Sequence, residues 1–139
     1  MNSNTYRLNE GLINIPVNWQ DQSMNVFTLP DDSSINLVIN RATIPTGVTE
    51  EEYLAQVISQ FRTTLKAYRE LTIEDITLSE HPAKLLEYQW ETPEGVMYQL
   101  TVLQVYQQRL MTFTYTSTMV FTPSQRQALL EIIYSFSLT

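Results

Sequence analysis

Apolar residues recur along this chain in two rhythms: every second position over most of its length, and every three or four positions in two stretches. "TEEEYLAQVISQFRTTLKAY" (49–68) is the clearer of the latter. Tyr53, Leu54, Val57, Ile58, Phe61, Leu65 and Tyr68 make one broad stripe at helical spacing. Thr49 as N-cap with Glu52 three residues on forms a capping box, and Glu50 to Glu52 complement the positive end of the helix. "TPSQRQALLEIIYSF" (122–136) is the second helix, with Thr122 as cap, Pro123 at the first helical position and Gln125 closing the box.

The alternating stretches predict strands at 11–16, 24–29, 35–43, 71–79, 83–91, 95–107 and 110–118. "PDDSS" (30–34), "SEHP" (79–82) and "TPEG" (92–95) supply turn residues between them. Three strands, a helix, four strands and a helix, with strands joined by short turns, predict an α+β fold with an antiparallel sheet. The chain, 1–139, reads as a single domain, without repeat or linker.

Several strands are apolar on both sides. "QSMNVFTLP" (22–30) sends Met24, Val26 and Thr28 one way and Asn25, Phe27 and Leu29 the other. "INLVIN" (35–40) separates Ile35, Leu37 and Ile39 from Asn36, Val38 and Asn40, and 96–107 likewise divides into two largely apolar sets. Two helices of this length are expected to cover one face of a seven-strand sheet but hardly both. Either a partner that is both apolar and hydrogen-bonding meets the second face, or irregular strands and loops fold over it.

Composition narrows the chemistry. The 139 residues carry no cysteine, which excludes a disulfide framework, a thiolate metal site and a cysteine nucleophile. The net charge of −7 with scattered basic residues argues against nucleic acid and anionic membrane. The polar start "MNSNTYRLNEG" lacks a signal-peptide core and no window matches a membrane span, so a cytoplasmic protein without direct membrane insertion is expected. His81, the one histidine, precedes Pro82 in a turn; Asp31-Asp32 and Glu74-Asp75 suit loops and strand edges, and Trp19 and Trp90 suit packing. No phosphate-cradling glycine loop, metal set or catalytic constellation is present, so neither an enzyme nor a cofactor is expected.

"YRLNEGLINIPVNWQDQSMNVFTLP", followed by "LVINR", "LLEYQW" and "LQVY", resembles the Eag chaperones of type VI secretion systems over nearly the whole chain. Its most specific part is the polar run W-Q-D-Q-S-x-N-[VI]-F. The resemblance implies a PsbP/DcrB-like fold, a homodimer and a concave apolar groove. It implies that the groove shields the N-terminal transmembrane segments of a secreted effector, often an Rhs toxin, with the adjoining PAAR segment. On the same ground Met24, Val26, Val38, Leu65, Leu100 and Gln104 are expected to face the partner, together with the amides of Asn40 and Gln60. A family glutamine in the first helix is replaced by Val57, with Gln56 and Gln60 as nearby substitutes. A carrier of a small apolar ligand or lipid, or an accessory subunit of an assembly, is the competing reading.

Overall fold

Leu100, Thr101, Val102, Leu103, Gln104 and Val105 are all buried. Successive residues of a strand point to opposite faces, so an unbroken buried run requires cover on both sides of the sheet. That requirement organises the computed structural model, which describes residues 3–29 and 35–138. The turn expected at 30–34, with Asp31-Asp32, lies outside the described residues.

Strands β1 (Ser3–Arg7) and β2 (Leu12–Pro16) form a two-stranded sheet of their own. The main sheet is built from β3 (Asn25–Thr28), β4 (Asn36–Thr43), β5 (Arg69–Leu78), β6 (His81–Thr92), β7 (Gly95–Tyr106) and β8 (Arg109–Ser117). Its order is β3-β4-β8-β7-β6-β5, antiparallel throughout. Helix α1 (Glu50–Thr64) connects β4 to β5 at the far edge, and α2 (Pro123–Tyr134) follows β8. The antiparallel α+β architecture agrees with the sequence pattern.

The helices take opposite faces. Ile58 of α1 packs with Leu86, Tyr88, Leu103 and Val105 on one side. Leu129, Leu130 and Ile133 of α2 pack with Leu37, Leu85, Leu100 and Phe113 on the other. The expectation that both share a face is therefore corrected. Topology gives the reason: the chain crosses the sheet with α1, returns by three hairpins to the strand beside β4, and then starts α2. The Tyr115 hydroxyl donates to the Leu129 carbonyl at 2.8 Å, fastening α2 to the sheet, and burial pushes its pKa up to about 12. Arg126 of α2 adds an ion pair to the mostly buried Glu87 at 2.7 Å.

Three local corrections follow. β1 adds an eighth strand to the seven expected; Ser3–Arg7 carries no apolar alternation and is recognisable only by its pairing with β2. The first helix stops at Thr64 rather than 68, with Leu65 as an extended C-cap and Ala67 left-handed at φ 55°. Trp19, expected in packing, is 66% exposed. Both helix caps form: Thr49 Oγ1 accepts from the Glu52 N–H, and Thr122 with Gln125 closes a complete box.

Two hairpins turn on ordinary residues in left-handed conformation: Ser79-Glu80 and Gln107-Gln108, each at φ 50° and 67°. Two-residue hairpin turns of this kind favour Asn-Gly. Replacing Gln107-Gln108 by Asn-Gly is expected to stabilise the protein by about 1–2 kcal/mol, since the left-handed region costs roughly that much for an ordinary residue. Urea unfolding should show a higher midpoint at unchanged slope; an unmoved midpoint contradicts the strain assigned to this turn.

Candidate interaction face

The α1 face is only partly covered. Its residues follow from the register: Val26 pairs with Val38, Val38 with Thr114, Thr114 with Thr101, and Thr101 with Leu86. A parallel row runs Thr28, Asn36, Thr116, Gln99 and Tyr88, and a third contains Asn40, Thr112 and Leu103. The helix packs over Leu86, Tyr88, Leu103, Val105 and Leu110. Beyond it the same face is made of half-buried Val38, Thr112, Thr114, Thr116 and Gln99, with Val26 and Asn40 exposed. Met24, 60% exposed, precedes β3 at the same parity as Val26.

Hydrogen bonds order the boundary between covered and open parts. Trp90 Nε1 donates to Gln99 Oε1 at 2.8 Å, and Gln99 Nε2 donates to Thr116 Oγ1 at 3.0 Å. Tyr88 OH, Thr101 Oγ1 and Thr114 Oγ1 follow at 3.2 and 3.3 Å. Burial raises the Tyr88 pKa, so the hydroxyl stays protonated and available to this chain. Among the described residues, the Asn36 side-chain oxygen is buried without a hydrogen-bond partner. Threonine suits such a surface: it is β-branched, so it favours strand, and it offers a methyl group beside a hydroxyl.

Which edge of α1 borders the open part is fixed by the other edge. Glu51, Ala55 and Arg62 line a groove with Ile73, Ile76 and Lys84 of β5 and β6, and Arg62 pairs with Glu70 of β5. At 100° per residue, Tyr53, Gln60 and Thr64 fall on the opposite edge, toward β8 and β4. Gln56 lies further round, toward solvent. Gln60 is exposed, and half-buried Leu65 packs into the α1-side core as the helix ends.

The polar run W-Q-D-Q-S-x-N places the start of β3. The Asp21 carboxylate accepts from the Ser23 hydroxyl and, at 2.9 Å, from its N–H. These bonds chiefly, with the Arg109 and Arg41 charges, hold its pKa below the usual value. Arg41 donates to the Ser23 carbonyl at 3.1 Å and to Asn25 Oδ1 at 2.8 Å, and Arg109 donates to the Asp21 carbonyl at 3.2 Å. Tyr6 OH meets Ser23 Oγ at 2.8 Å, bringing the β1–β2 hairpin to the same loop.

The family model described as DcrB matches residues 10–135. The chain belongs to the DcrB family. A DcrB-family fold of this kind is also seen in the crystal structure of PA94, a protein of unknown function from Pseudomonas aeruginosa, with a TM-score of 0.83 and 26% identity over 99% of this chain and 97% of that one. The solution structure of cyanobacterial PsbP (CyanoP) from Synechocystis has a TM-score of 0.51 at 11% identity, covering 96% of this chain and 89% of that one, a likeness of fold. Among curated proteins, Effector EagT6 of Pseudomonas aeruginosa is 34% identical over 89 residues, a match spanning 62% of this chain and 62% of that relative. These likenesses support the resemblance to Eag-type chaperones read from the motifs.

Of the residues expected to share one surface in this DcrB-family chain, the structure groups Met24, Val26, Val38 and Asn40, with Gln60 on the bordering helix edge. Leu100 and Gln104 do not join them. Leu100 faces Tyr115, which pairs with Leu37 rather than Val38, so both belong to the α2 side. Leu100 is fully buried, and Gln104 is 1% exposed. Its Nε2 donates to the Leu78 carbonyl at 2.8 Å and the His81 carbonyl at 3.2 Å, closing the β5–β6 turn from within. Thr112, Thr114, Thr116 and Gln99 are the residues that sequence reasoning passed over. The alternation of threonine in "MTFTYTST" was the available signal.

Gln104→Leu should therefore lower the melting temperature. Two buried carbonyls lose their donor, and an unsatisfied buried group costs about 1–3 kcal/mol. Differential scanning calorimetry should show a drop of several degrees, on the scale of about 2–4 °C per kcal/mol for a chain of this size. A variant as stable as the parent would contradict the structural role.

Proposed function

We propose that this chain is an effector chaperone of a type VI secretion system. It shelters the N-terminal transmembrane segments of its effector, with the adjoining PAAR segment, on the open part of the α1 face. It acts as a homodimer in the cytoplasm and binds rather than catalyses. The observation that carries the reading is the open surface itself: Val26 and Val38 beside a threonine ladder and the Asn40 amide. The likeness to Effector EagT6 supports the secretion context.

The physical fit is direct. A transmembrane helix satisfies its own backbone but presents apolar side chains, whose exposure to water costs about 25 cal/mol per Å². Met24, Val26 and Val38 cover such side chains. Small residues are frequent on transmembrane helices and let a neighbour approach the backbone closely. Threonine hydroxyls and the Asn40 and Gln60 amides then lie within reach of its carbonyls. Arg41 and Arg109, by fixing residues 21–25, set where Met24 and Val26 stand on this surface. Release needs no nucleotide: the segments leave when a better-packed site takes them.

The carrier reading has one support, a cleft of about 680 Å³ on the α2 face lined by Phe27, Leu37, Phe113 and Ile132. Its size suits a small ligand, but its lining holds no charged residue to orient a head group.

Co-expression with the N-terminal apolar segments of an effector from the same secretion locus should yield a soluble complex. Val38→Asp should weaken it at least a hundredfold, a change of about 2.7 kcal/mol, because an unpaired carboxylate would be desolvated in the contact. Circular dichroism should show the variant folded. Binding by folded Val38→Asp at parental affinity would overturn the assignment of this face.

A further inference from the structure

The two edges of the main sheet are built differently. The β5 edge is ten residues long, broken by a register shift between Glu70 and Thr72, and carries Arg69, Glu70, Glu74 and Asp75. Bulges and charges of this kind keep other strands away. The β3 edge has neither: Asn25–Thr28 is uncharged, regular, and exposed at every residue. Val26 and Phe27, pointing to opposite faces, are each 56% exposed. An apolar, unguarded edge is a template for strand pairing.

We infer that β3 is where a second copy of this chain joins, antiparallel about a two-fold axis, so that two six-stranded sheets become one. The inference rests on the homodimer in the proposed function and adds its location and its consequence for the site. Three features favour a second copy as the occupant. An isologous contact requires a surface compatible with itself, and "QSMNVFTL" (22–29) is the uncharged stretch of a chain whose net charge of −7 repels its own kind elsewhere. Both apolar surfaces end at β3: the open α1 face stops at Val26, and the α2-side cleft stops at Phe27 and Leu29. Each is a half that its two-fold mate completes.

The third feature is the source of contact area. A stable interface buries roughly 800 Å² per partner, more than four strand residues supply. Nine of the sixteen large apolar residues exposed among the described residues fall between Leu8 and Leu29, including Leu12, Ile13, Val17 and Trp19 of the hairpin region. The Tyr6–Ser23 and Arg41–Ser23 bonds hold that region against the start of β3. In the paired sheet, Val26 of both copies lies on one continuous α1 face, so the binding surface is incomplete in a single chain.

The chain's lack of cysteine makes the test clean. When faces are preserved across the two-fold, one β3 residue stands opposite its own copy. Directly opposed strand residues are about 4.5–5.5 Å apart at Cα, within disulfide range. Val26→Cys and Phe27→Cys, made singly, bracket the axis, and Ile73→Cys on β5 is the control; circular dichroism checks folding. Under mild oxidation at micromolar concentration, one of the two β3 variants should cross-link nearly completely, and Ile73→Cys should remain unlinked. Light scattering on the parent should give twice the chain mass. A dimeric parent whose β3 cysteines both stay unlinked places the contact elsewhere and overturns this inference while leaving the proposed function standing. A parent that stays monomeric overturns this inference together with the homodimer, whereas failure of the effector co-expression alone leaves the β3 contact intact.

Discussion

One helix cannot cover one face of this sheet. Six strands spaced about 4.8 Å apart present a face some 24 Å across, whereas a helix with its side chains is about 10–12 Å wide. The fold nevertheless buries β7 on both sides, so each helix is placed over the interior strands and surface is left over toward β3. On the α2 side the remainder is an aliphatic and aromatic cleft. On the α1 side it is a valine and threonine surface bordered by amides. The placement of both helices is thus a matter of connection order, and the uncovered surface is its geometric residue.

That surface depends on a loop that carries no apolar anchor. β3 is short and at an edge, so its position relies on the bonds that Asp21, Ser23, Arg41 and Arg109 make just before it. The polar run in front of β3 thereby has a structural purpose. It fixes the strand from which Met24 and Val26 project, and it ties the β1–β2 hairpin to the same point through Tyr6.

Much of the fold was legible because local chemistry and tertiary structure agree. Both helix starts carry their caps, and the strands from 35 onward alternate as their burial requires. β1 was invisible since its residues bury nothing. The site was harder to read because parity assigns two faces to each strand without saying which face of one strand continues which face of the next. In β4 the mixed set Asn36, Val38 and Asn40 was separated correctly from the core set. In β7 the side that continues it contains Gln99 and Thr101, not Leu100 and Gln104. Family likeness pointed to one glutamine of β7 and register to another; only pairing through Thr114 and Thr116 decides between them.

The central claim is that the partner lies on the open α1 face. Photo-cross-linking within the co-expressed complex tests it most directly, with p-benzoylphenylalanine introduced singly at Thr114 and at Ile132. Thr114 sits in the middle of the threonine ladder, and Ile132 stands exposed on α2 across the sheet. Cross-links from position 114 to the effector's apolar segments, with none from 132, are the predicted result. Cross-links from 132 and none from 114 would contradict the account.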